Sequence, residues 1–152
     1  MEAGLSTPRV SFDPAFAADA EALAAIRIAA MRESLERLGR FDAQRARDRF
    51  LSTFDPALTR HVLVDGERVG FVVVRPQDDG LLLDHLYLLP CAQGRGVGAA
   101  VLADVLARAD ASRLPVHVAA LRSSDANRFY ARHGFVLVGE GEWDNLYLRP
   151  VR

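Results

Sequence analysis

A chain of 152 residues, half of them hydrophobic and 26% charged, has the composition of one globular domain and the length to bury about 70% of its unfolded surface. Its formal net charge of −1 gives no field to hold nucleic acid or an anionic membrane, so neither is expected as a partner. No apolar run approaches the ~20 residues of a bilayer span; with a single cysteine, Cys91, and no basic, apolar leader in the first thirty residues, the expected location is the cytoplasm.

Val10 to Phe12 reads as a short first strand. Pro14 to Leu38 is Ala-rich with Leu23, Ile26, Ala30 and Met31 at helical spacing, which predicts one helix, or two with a kink. Asp42 to Leu51 repeats the pattern and stops before Phe54-Asp55-Pro56, because a residue preceding proline avoids helical geometry. From Arg60 the period changes: His61–Val64 and Val69–Val74 are strands of a hairpin turned at Asp65-Gly66. Leu81 to Leu89 is a near-continuous apolar strand, predicted to be buried on both faces, broken only by Asp84 and His85. A helix over Ala99–Ala111 then leads to a strand over Pro115–Leu121. Ser123–His133 predicts a helix stopped by Gly134, and Phe135–Val138 with Trp143–Leu148 a closing hairpin. The whole predicts a mixed α/β fold, one central sheet with helices on both faces.

Leu86-Tyr87-Leu88-Leu89-Pro90-Cys91-Ala92-Gln93-Gly94-Arg95-Gly96-Val97-Gly98-Ala99 runs a strand into a Gly-rich turn that opens a helix. Unpaired backbone N–H groups and the positive end of the helix dipole meet there, which suits phosphate oxygens. No lysine is needed, and none exists, since all 19 basic residues are arginine. Neither Gly-Lys-Ser/Thr nor Gly-x-Gly-x-x-Gly is present, which excludes the P-loop and the dinucleotide fingerprint. On spacing alone the turn also serves as a tight connection.

Gln93-x-x-Gly96-x-Gly98 after that strand resembles the acetyl-CoA motif of the GCN5-related N-acetyltransferases. Ala126-x-x-x-Tyr130-x-x-x-Gly134-Phe135 is similar to the later motif of that family, and the resemblance covers about residues 60–149. It implies acetyl-CoA as cosubstrate and an N-acetyltransferase that passes the acetyl group to a primary amine by direct attack. Backbone groups of Leu86, Tyr87 and Leu88 would take the pantetheine arm. Gln93, Gly94, Arg95, Gly96, Val97, Gly98 and Ala99 would surround the pyrophosphate. Tyr130 matches the tyrosine that protonates the departing thiolate, and a phenol of pKa ~10 carries its proton at neutral pH. Ser123 stands where many members carry asparagine and would cap the helix or reach the cofactor, with Asn127 as a substitute amide or merely an exposed polar residue.

The amine must lose a proton, and Asp84 matches the position where some relatives carry a glutamate base. His85 competes, alternation along a strand would let only one of the two face the acetyl group, and ordered water is the third choice. Cys91 near a helix start is a weaker nucleophile candidate. Acceptor recognition falls to the N-terminal helices, with Arg32, Glu33, Arg37, Arg40 and Arg45, and to the loop holding Glu140, Glu142, Trp143 and Asp144, whose acidic character would attract a cationic amine. The acceptor is a small-molecule or protein amine, and family habit implies a homodimer. No metal is expected, because His61, His85, His117 and His133 show no ligand spacing. A non-catalytic CoA-binding sensor or assembly module is the alternative; a transferase acting on charged tRNA is disfavoured by the charge balance.

Overall fold

The computed structural model describes residues 8–152; residues 1–7, where the segment read for a leader begins, lie outside the described residues. Seven strands form one sheet in the order β1-β2-β3-β4-β5-β7-β6: β1 Val10–Pro14, β2 Thr59–Val64, β3 Glu67–Gln77, β4 Gly80–Leu88, β5 Val116–Leu121, β6 Val136–Glu140 and β7 Asp144–Arg149. Four helices accompany it, α1 Ala20–Arg37, α2 Ala43–Thr53, α3 Val97–Ala111 and α4 Ala126–Arg132. The β2–β3 hairpin turns at Asp65-Gly66, where both residues have positive φ, +51° and +87°, the turn that matches strand twist. β4 and β5 pair in parallel, as a strand, helix, strand unit requires.

The expected helices cover both faces. Val97, Val101, Leu102, Val105 and Ala109 of α3 pack with Val62, Val72, Val74, Leu83, Val116 and Val118 on one side. Leu23 and Ala24 of α1 and Phe50 of α2 pack with Phe71 and Val73 on the other. Central strand β3 therefore feeds both cores by alternation, Val72 and Val74 one way, Phe71 and Val73 the other. Among the described residues, no helix is long and apolar enough to cross a membrane.

Three local expectations change. The long N-terminal helical stretch begins only at Ala20 and then runs as one helix to Arg37; Pro14 belongs to β1, and the Asp19 carboxylate accepts from the Phe16 N–H (2.8 Å) and meets His61 Nε2 (3.0 Å), fixing a 3-10 turn before the helix. α4 starts at Ala126 instead of Ser123, because Ser124 Oγ and Asn127 Nδ2 both donate to the Leu121 carbonyl (2.8 Å each) and hold the segment before it as a turn. β4 is fully buried only at Gly80 and Leu83. Its pairing with β5 stops at Leu83↔Val118, so its second half borders open space instead of a neighbouring strand.

Candidate active site

β5 continues past Val118 on β7, pairing Ala119↔Leu146, Ala120↔Asn145 and Leu121↔Asp144, while β4 continues on β3. The two parallel strands thus part in the middle of the sheet and leave a cleft of about 1260 Å³ between β4, β5, α1, α2, α4 and the Gly-rich turn. Leu89 N–H donates to the Val69 carbonyl (2.7 Å). Counting back in twos, Tyr87 turns its backbone groups to β3, and Leu86 and Leu88 turn theirs to the cleft. One of these, the Leu88 carbonyl, accepts from Gln93 Nε2 (3.0 Å), so Gln93 folds back to tie the turn to the strand end.

The turn itself is held by backbone conformation. Gly94 and Gly96 have φ of +73° and +80°, a region costly for any residue with a Cβ, and Gly96 is the N-cap of α3. Its neighbour Val97 is 1% exposed and anchors the helix start in the core, leaving only its backbone to face outward. Arg95 is exposed. Gly98 is helical, and a Cβ there would make ordinary contact with the Phe129 ring at 3.5 Å.

The candidate acid–base groups lie further down the cleft. In the β3–β4 pairing Val73 opposes His85 and Val74 opposes Leu83, so Asp84 is the extra residue of a β-bulge. Alternation fails at that point, contrary to the expectation that only one of Asp84 and His85 faces the site. Both turn toward α2: Asp84 Oδ2 accepts from Arg75 Nε (2.6 Å), whose Nη2 donates to the Thr53 carbonyl (2.6 Å), and the His85 ring lies against Phe50 (5.5 Å between centroids). The two side chains stand 3.7 Å apart, and both line the cleft. Burial pushes His85 down to about 4, against the pull of Asp84 and with help from the Arg27 and Arg75 cations; the imidazole is neutral near pH 7. Its Nδ1 is buried with no hydrogen-bond partner.

Tyr130 on α4 lines the cleft at 6% exposure, stacked edge-on to Phe129 and Phe135 (5.3 Å each). Burial, and secondarily the neighbouring Tyr87, raise its phenol well above the ordinary tyrosine range. Tyr87 is likewise raised by burial, and its hydroxyl donates to Met31 Sδ (3.3 Å).

The remaining candidates scatter. Asn127 is neither exposed nor open to a ligand at its amide: Nδ2 donates to Leu121 and Ser124 carbonyls (2.8 Å each), and Oδ1 accepts from Asn145 (2.9 Å) and the Tyr147 hydroxyl (2.8 Å). Ser123 does not cap α4, whose N-cap is Asp125; its hydroxyl donates to the Ser34 carbonyl (3.4 Å). Of the acidic loop only Asp144 lines the cleft, while Trp143 sits under Arg40 (4.1 Å). Cys91 is exposed. Among the described residues there is no group of three or more His, Cys, Asp or Glu able to hold a metal. Sequence reasoning named neither Arg75, which pins Asp84, nor Arg27; the one available signal for Arg75 was an arginine in β3 at the end of an apolar run, facing the strand that carries Asp84.

A splayed parallel pair, a positive-φ glycine turn at the strand end and a buried tyrosine across the gap define an acyl-transfer fold. Residues 58–137, more than half of the chain, match the acetyltransferase (GNAT) domain family, and the chain belongs to that family. It is 40% identical over 78 residues to uncharacterized N-acetyltransferases of Mycobacterium bovis and Mycobacterium tuberculosis, a match over 49% of this chain. The chain spans about half the length of these curated relatives. The PaiA N-acetyltransferase of Thermoplasma acidophilum, solved in complex with coenzyme A, shares the fold at a TM-score of 0.76 and 13% identity, covering 93% of this chain and 99% of that one. A GCN5-related N-acetyltransferase from Rhodopseudomonas palustris aligns at 0.67 and 25% identity over 97% of each chain.

Proposed function

We propose that this protein is an acetyl-CoA-dependent N-acetyltransferase acting on a primary amine. The observation that carries the reading is the parting of β4 from β5 beyond Leu83 and Val118, which opens on one side to the Gly-rich turn and on the other to Tyr130 and Asp84–His85. Acetyl-CoA supplies the activated acyl group as a thioester. The cleft-facing backbone groups of Leu86 and the N–H of Leu88 suit an amide-bearing arm laid along them like an added strand. N–H groups of the Gly94–Ala99 turn, at the positive end of α3, suit the pyrophosphate, with Arg95 free to approach it.

The amine nitrogen attacks the thioester carbonyl, the C–N bond forms and the C–S bond breaks. The amine proton leaves toward Asp84–His85, directly or through water. Tyr130 supplies the proton that the thiolate takes and regains one from solvent, to which Asp84–His85 releases the amine's proton; its raised pKa keeps the phenol protonated between turnovers. Titration calorimetry of acetyl-CoA into the wild type and a Gly96→Glu variant tests the cofactor half. Binding by the wild type and its loss in the variant are expected, because the added carboxylate would stand where phosphate oxygens belong. A folded wild type that binds no acetyl-CoA would overturn the reading.

A further inference from the structure

The acceptor wall of the cleft, formed by α1 and α2, carries cations that nothing on the wall neutralises. Arg27 on α1 and Arg45 and Arg49, one turn apart on α2, line it. Arg27 donates from Nη1 to the Ala46 carbonyl (2.8 Å), lies beside the Tyr87 hydroxyl and keeps Nε buried without a partner. Among the described residues, none of the three comes within 4.0 Å of a carboxylate oxygen. The acids of α1, α2 and β4 that line this side of the cleft have partners of their own. Glu33 pairs with Arg37 (3.0 Å), Asp84 with Arg75 (2.6 Å), and Asp42 caps α2 by accepting from the Arg45 N–H (3.1 Å).

A guanidinium withdrawn from water without a counter-charge is unfavourable, and a bound anion relieves the cost. Its planar fork matches a carboxylate bidentately. Arg27 is half-buried, and its field reaches His85, where it is one of the cations holding the imidazole neutral. The Arg27 guanidinium and the Asp84–His85 pair therefore line the same cleft within electrostatic reach of each other. Asp144, the acid of the closing loop that does line the cleft, comes from β7 across the gap, so the cation-attracting loop expected from sequence does not offset the arginines at their own wall.

We infer that the acceptor is an amino-acid-type molecule whose carboxylate is held by Arg27, with Arg45 and Arg49 at the mouth, while its amine faces Asp84–His85. This rests on the acetyltransferase reading above. The test is release of free CoA thiol by the whole chain with acetyl-CoA, comparing the standard L-amino acids with their carboxamides and with aminoalkyl phosphates. At least one amino acid is expected to be turned over with kcat/KM about tenfold or more above its carboxamide, since a site built for a polar group rejects an analogue lacking it. Arg27→Met should collapse that ratio toward one, chiefly through KM, and Arg27→Lys should restore part of it.

Arg49→Met, on the exposed side of α2, gives the same readout should the α1 variant not fold; a smaller loss in the same direction is expected. Carboxamides turned over as well as the acids, an unchanged ratio in both methionine variants, or phosphates preferred over carboxylates would each overturn the inference. So would acetyl-CoA binding with no amino acid turned over, and that result leaves the cofactor half of the functional reading standing. Failure to bind acetyl-CoA at all strikes the functional reading itself.

Discussion

Burial is the first cause of the shifted titration of both Tyr130 and His85, and each shift reinforces the form that dominates near neutral pH, the protonated phenol and the neutral imidazole. For Tyr130 the consequence is a hydroxyl that is protonated at the start of each turnover. Tyr130→Phe is expected to lower turnover by about 10²–10⁴-fold, the usual contribution of a placed proton donor, with acetyl-CoA affinity unchanged by calorimetry; unchanged turnover would make the tyrosine a core aromatic only and leave the non-catalytic CoA-binding role in contention. For His85 the sign follows from linkage. Its folded value of about 4 lies below the ordinary 6.5, so between these pH values the unfolded chain binds more protons and stability falls as pH drops from about 6.5 to 4. The slope from this one group is at most ~1.4 kcal/mol per pH unit. Urea midpoints measured from pH 7 to 4.5 should fall less steeply in His85→Gln than in the wild type.

At the scale of the element, the Gly-rich turn distinguishes two glycines that look alike in the sequence. Gly96 caps α3 at φ +80°, where a side chain costs about 1–2 kcal/mol. Gly98 lies inside the helix with space for a methyl group against Phe129, where alanine gains roughly 0.5–1 kcal/mol. Gly96→Ala is therefore expected to lower the melting temperature and weaken acetyl-CoA binding, and Gly98→Ala to raise the melting temperature; equal effects would mean that the turn does not need its left-handed residue. The bulge at Asp84 acts on β4 in a comparable way. One extra residue puts two consecutive side chains on one face, and Arg75 then fixes the first of them through a bidirectional link to Asp84 and Thr53.

Over the whole molecule the cleft exists because the sheet is complete on one side of the gap and interrupted on the other. The base of the gap, where Leu83 meets Val118, is packed by α3, with Leu102 fully buried among Val72, Val74 and Val116. Leu102→Ala should cost about 2–5 kcal/mol, the range for a buried leucine truncated in a well-packed core, read as a lower urea midpoint at unchanged slope. A loss below ~1 kcal/mol would show that α3 repacks easily and does not hold the fork open.

The sequence by itself determined the class of fold, the hairpin, the position of the Gly-rich turn and the tyrosine on the following helix. These depend on local periodicity and on residues such as glycine and proline whose backbone limits are intrinsic. Tertiary structure alone decided the rest. The apolar run of Leu81–Leu89 read as a strand buried on both faces, because hydrophobicity along a strand says nothing about where its neighbour ends. That Asp84 and His85 share a face depends on an unpaired residue in the β3–β4 ladder, and periodicity cannot register an insertion made by the partner strand. Asn127 looked like a solvent-facing or cofactor-facing amide until Leu121, Asn145 and Tyr147 came within hydrogen-bonding reach from distant parts of the chain. Arg27 stayed silent for the same reason: an arginine on a mixed-charge helix reads as a solvated side chain, and only packing of α1 against α2 and β4 buries its Nε and leaves it without a counter-ion.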